Sequence, residues 1–169
     1  MLNYTQALDE DKLYQDLQMK EIKPIMKLII RGKKREFISA VGKSLNVLLP
    51  TEANTTSQSE ELTAMWLGPD EWMIFSNNTM DENSNEYQIE KLLKKNISNL
   101  NLGAITDVTD QFVLINLKGN KIYDLFQTGS PYNFNNFKNK KGSVTQTILA
   151  KIDVIIQNQN RNEVNLFVR

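Results

Sequence analysis

Two apolar runs of strand length, Glu61-Leu-Thr-Ala-Met-Trp-Leu-Gly68 and Trp72-Met-Ile-Phe-Ser76, are separated only by the polar turn Pro69-Asp70-Glu71. Gly68 and Pro69 are turn residues, so the pair reads as a β-hairpin. Hairpin signals recur. Ala104 to Thr109 and Phe112 to Leu117 flank Asp110-Gln111, and a strand over Ile148 to Ile156 turns at Asn158-Gln159-Asn160 into Val164 to Val168. In that strand Ile148, Ala150, Ile152, Val154 and Ile156 alternate with polar neighbours, which predicts one wet face.

Helical spacing appears between these runs. Phe37, Ile38, Val41 and Leu45 share one stripe, as do Ile89, Leu92, Leu93 and Ile97 of a second segment that Asp81 to Ser84 can cap. Glu90 can pair with Lys94 on that segment. Ile122, Leu125 and Phe126 form a shorter face ending at Gly129. Strands and helices interleave without the regular alternation of a doubly wound parallel sheet. The expected class is therefore α+β, with mixed or antiparallel sheets and flanking helices.

Three segments read differently. Residues 1–23 place Tyr4, Leu8, Leu13, Tyr14 and Leu17 among many charges and are expected to form an amphipathic arm or helix that orders on assembly. Ile25 to Ile30 begins a domain over 24–169, built as one piece or as two small α+β halves. Pro50 to Glu61 lacks apolar anchors and is expected to be a mobile loop. Tyr132 to Gly142 is an Asn- and Lys-rich loop that Phe134 and Phe137 pin to the body.

The chain of 169 residues is long enough to bury a sizeable core. Lys plus Arg and Asp plus Glu both number 20, so no net field draws it to nucleic acid or to an anionic membrane. The acidic residues within Met1 to Gln18 do not suit a signal peptide, and the expected location is the cytoplasm. The chain contains no histidine and no cysteine. The usual ligands of structural zinc and of haem are thus missing, thiol redox is excluded, and acid–base work is left to carboxylates or a lysine with a shifted pKa.

Taken in order, Trp66-Leu-Gly-Pro-Asp-Glu-Trp72, Thr106-Asp-Val-Thr-Asp110 before Val113-Leu-Ile-Asn-Leu-Lys-Gly119, and Gly142-Ser-Val-Thr-Gln-Thr147 resemble the gamma subunit of heterotetrameric sarcosine oxidase. The resemblance runs from about Ile25 to Arg169. It departs from the family pattern at Ser130, where members often carry Cys, and at Arg169, beyond which members continue into an aromatic-bearing helix. The gamma subunit is in turn similar to the folate-binding domain of aminomethyltransferases, and that fold is the one expected. Those enzymes carry an Asp pair where Ala150 and Lys151 stand here.

The resemblance implies an accessory subunit without catalytic, cofactor or metal residues of its own. Its partners would be alpha- and beta-type subunits holding flavin, nicotinamide (NAD), folate and zinc. Together they would oxidatively demethylate sarcosine to glycine, with hydrogen peroxide formed and the one-carbon unit passed to tetrahydrofolate. Trp66, Gly68, Pro69, Asp70, Trp72, Asp107, Asp110, Gly119, Gly142, Gln146 and Thr147 are then structural or interface residues. Large aromatics beside strands are more often core or interface anchors than cofactor platforms. Asp70, Glu71, Asp107 and Asp110 read as turn residues before they read as a catalytic pair. Gly119-Asn-Lys121 has the character of an anion loop at a helix start, but one glycine is weak support and packing explains it as well. The alternative is a free-standing folate or one-carbon binding domain using Asp107, Asp110 or Asp153, and a scaffold or sensor on the same fold is a third reading. Self-association of the isolated chain is left open.

Overall fold

The computed structural model describes residues 5–79 and 86–169. They form two compact units, one holding the N-terminal segment to Lys23 with Gln111–Arg169, the other Pro24–Asp110.

Among the described residues 5–23 there is no helix. They form β1 (Lys12–Tyr14) and β2 (Leu17–Glu21), a short antiparallel hairpin. Leu17 and Met19 lie two residues apart, on one face of a strand, and both pack against the core of their unit. Of the charges that suggested an arm, Asp9 to Asp11 precede β1, Asp16 lies in the turn, Lys20 is on the other face, and Glu21 shares the face of Leu17 and Met19 and is buried. Leu8 N–H also donates to the buried Glu21 carboxylate at 2.8 Å.

The second unit begins with β3 (Lys27–Arg31) and α1 (Arg35–Leu45), then β4 (Thr56–Gln58), β5 (Leu62–Gly68), β6 (Glu71–Ser76), α2 (Glu86–Asn96) and β7 (Ala104–Asp107). Its sheet runs β4-β5-β6-β3-β7, with every pair antiparallel. Phe37, Val41 and Leu45 repeat every four residues, so α1 lays one buried stripe on Leu28, Ile30, Trp72 and Ile74. Asn46, at φ 50, closes the helix in the left-handed conformation that Asn tolerates. Leu93 and Ile97 bring α2 onto the same core, whereas Leu92, expected in the stripe, is 40% exposed. Glu90 and Lys94 are ion-paired. The expected cap at Asp81 to Ser84 lies outside the described residues.

Two loop readings are corrected in this unit. The stretch from Pro50 to Glu61 carries β4, because its backbone pairs with β5 (Ser57 opposite Ala64) and so needs no buried side chains to order it. Ala104 to Thr109 and Phe112 to Leu117 are not hairpin partners. β7 pairs with β3, and a 3-10 turn at Thr109–Gln111 leads the chain out of the unit.

The chain then returns to the first unit through β8 (Val113–Lys118), α3 (Ile122–Gly129), β9 (Val144–Leu149), β10 (Ile152–Asn160) and β11 (Glu163–Val168). The sheet order is β1-β2-β8-β11-β10-β9. α3 is only eight residues long and would be marginal alone. It is held by Ile122, Tyr123 and Phe126 against Leu117, Ile156 and Val164, with Phe134 and Phe137 of the following loop completing the core. The Phe126 and Phe134 rings lie 5.3 Å apart. Leu125, expected on this face, is 40% exposed.

The strand expected over Ile148 to Ile156 is two strands. Leu149 pairs with Ile152 across a two-residue turn at Ala150 and Lys151, both at positive φ. Nor is one face wet, since Val154 to Asn158 are all buried. Gln157 is accommodated by an amide ladder across three strands. Its Oε1 accepts from Asn165 Nδ2 at 3.1 Å and Gln159 Nε2 at 2.7 Å, and Asn116 Nδ2 donates to Asn165 Oδ1 at 3.0 Å. A buried amide bonded in this way avoids the desolvation cost of an unpaired one.

Candidate functional site

The residues singled out in the sequence fall into separate places. Trp66 and Trp72 face each other across the β5–β6 pair. Trp72 is buried, its ring 5.9 Å from that of Phe37, and its Nε1 donates to Pro50 O at 2.8 Å. Trp66 is half-buried against the same core. The register shifts between Trp66 and Gly68, which admits Leu67 as a bulge and sets the tip at Pro69 and Asp70. Asp70 O accepts from Gly32 N at 3.0 Å, and its carboxylate lies 3.6 Å from Arg31 and 3.8 Å from Lys33. This hairpin tip is fastened to the β3–α1 link, and its aromatics are packed, not presented to a ligand.

Glu71 and Asp107, two of the four candidates for a carboxylate pair, are not brought together. Glu71 stands opposite Arg31 on β3 and Asp107 opposite Leu28, so the two lie roughly 10 Å apart along the strand direction alone. Asp107 Oδ1 accepts the Thr109 N–H at 2.8 Å, an Asx turn that starts the exit of the chain from the sheet. Asp110 is exposed on the 3-10 turn that follows.

The remaining residues belong to the first unit. Gly119 ends β8 at φ 135, its N–H donating to Asn162 O at 2.9 Å. A side chain there would meet Asp16 O at 2.1 Å, so the β1–β2 turn can lie against it only because it is glycine. Gly142, at φ 77, donates to Asn158 O at 2.8 Å and launches β9. Thr147 Oγ1 and Ser130 Oγ are 3.0 Å apart, tying β9 to the end of α3. Gln146 is exposed on β9 and borders a shallow cleft of about 390 Å³, with Ile148, Asp153 and Arg169. The Arg169 guanidinium lies 5.7 Å from the centroid of the Phe112 ring, which also lines the cleft.

β9 is the outer strand of its sheet, and the β9–β10 ribbon ends in an apolar tip. Ile148 shares a face with Asp153 and Ile152 with Leu149, so the two isoleucines point to opposite sides of the ribbon. Both are nevertheless about half exposed, 46% and 48%. The side that carries Leu149 rests on the end of α3, where Ala150 N–H donates to Gly129 O at 2.9 Å, and the two isoleucine side chains stay partly open beyond it. Ala150 and Lys151 form the turn between them. This combination of an outer strand, an open cleft and exposed isoleucines suits docking of a protein surface better than turnover of a small molecule. The sequence reading missed it because it placed both isoleucines on a buried face. Leu149-Ala-Lys-Ile152 carries no Asn or Gly to mark the turn.

Among the described residues no three His, Cys, Asp or Glu side chains group as a metal site. No helix among them is long and apolar enough to cross a membrane.

The fold has counterparts among solved structures. The fold matches a chain of the heterotetrameric sarcosine oxidase from Corynebacterium sp. U-96 in complex with pyrrole 2-carboxylate, with a TM-score of 0.78 and 16% identity over 90% of this chain and 75% of that one. It also matches the glycine cleavage system aminomethyltransferase T from Bartonella henselae, with a TM-score of 0.60 and 13% identity over 90% of this chain but only 42% of the enzyme. Both likenesses are of fold. No curated protein matches in sequence. The model of the sarcosine oxidase gamma subunit family matches residues 31–169, and the chain therefore belongs to the sarcosine oxidase gamma subunit family.

Proposed function

We propose that the chain is an accessory subunit of a sarcosine-oxidase-type complex and acts through contact surface, with the reacting groups and cofactors held by larger partner subunits. The observation that carries this is the family match over residues 31–169, joined to a fold shared with a chain of a heterotetrameric sarcosine oxidase. The chain's chemistry supports the same reading. It has no histidine or cysteine, Asp107 is engaged with its own backbone, and Trp72 is packed in a core. Flavin, nicotinamide, folate and zinc are assigned to the partners on this reading, and sarcosine is the substrate of the whole. The exposed β9–β10 tip is the contact surface that the geometry favours.

Affinity purification of the tagged full chain from its native source tests the proposal. Recovery of flavin-bearing partner subunits in a fixed ratio is expected. Recovery of the chain alone, from cells that demethylate sarcosine, would count decisively against it.

A second reading, a folate-binding domain, draws on the aminomethyltransferase-like fold and on Asp153 at the cleft beside Gln146 and Arg169. Calorimetry of the isolated chain with tetrahydrofolate separates the two. The accessory reading expects no saturable heat.

A further inference from the structure

We draw no further inference here: the strongest candidate, the apolar surface of the outer strand β1, where Leu13 and Tyr14 are 78% and 59% exposed, carries none because nothing in the structure shows what covers it.

Discussion

Lys27 and Thr109, 82 residues apart, are joined by three hydrogen bonds: Thr109 Oγ1 accepts the Lys27 N–H at 3.1 Å and donates to Lys27 O at 3.5 Å, and Thr109 O accepts Lys27 Nζ at 2.9 Å. Nζ also donates to Ile25 O at 2.9 Å. Lys27 is 2% exposed, so its ammonium serves as a clamp between the start of β3 and the exit of the chain after β7. Lys27→Met keeps the stem and removes the donor, leaving buried carbonyls short of a charged partner. A loss of about 2 kcal/mol is expected. Urea denaturation measures it, and an unchanged midpoint with an unchanged slope would refute the clamp.

Two glycines should respond in opposite directions to the same change. Gly119→Ala forces a side chain into a backbone at φ 135, against Asp16 O, and is expected to destabilise by more than about 1 kcal/mol. Gly42 lies inside α1, where an added methyl would meet only Val47 O at 3.7 Å. Gly42→Ala should therefore stabilise by up to about 1 kcal/mol through helix propensity. Thermal unfolding of the two variants decides both, and two shifts of the same sign would contradict the argument.

What could be read in the sequence was what is local. Phe37, Val41 and Leu45 announce a helix face, and Trp66 to Trp72 announce a hairpin, because in each case the partners lie within a few residues. Leu17 and Met19 gave no comparable signal, since their partner strand is β8, about a hundred positions later. Asp110-Gln111 has the composition of a hairpin turn but joins strands of different sheets, a choice made by long-range pairing. The turn at Ala150-Lys151 was hidden for another reason. Neither residue type prefers positive φ, so the sheet imposes the conformation.

That last strain can be relieved. A two-residue hairpin loop with both residues at positive φ is the geometry for which Asn-Gly is best suited. Ala150→Asn with Lys151→Gly should raise stability by roughly 1 kcal/mol, leaving the Ala150 N–H to Gly129 O bond available to the new residue. A lower melting temperature in the double variant would show that the turn is not strained in this way.

Glu163 gives the first unit a defined acid sensitivity. Burial pushes its carboxyl upward, but hydrogen bonds from Lys118, Asn116 and Asn160 outweigh this and hold it below the ordinary carboxylate range. A folded-state value below the unfolded one means that the stabilisation is complete above the unfolded pKa and disappears as pH falls through the folded value. Stability should therefore decline below about pH 4.5 more steeply in the wild type than in Glu163→Gln. Denaturation series from pH 6 to pH 3 compare the slopes, and parallel curves would remove Glu163 from the account.

The β9–β10 tip yields the prediction that bears most directly on function. Ile148 and Ile152 are exposed on opposite faces of an outer ribbon, and neither is needed to fill the core that Phe126, Phe134 and Ile156 complete. Replacing both with Asp should change folding stability by little, as surface substitutions generally do. If the tip is buried in the complex, the same change places two charges in a desolvated apolar contact, which costs several kcal/mol unless they are paired. Partner subunits recovered with the tagged chain should fall at least tenfold, while its melting temperature stays near that of the wild type. Full recovery of partners by the double variant would move the interface elsewhere on the chain, and a wild-type chain that recovers no partner would instead remove the accessory-subunit reading itself.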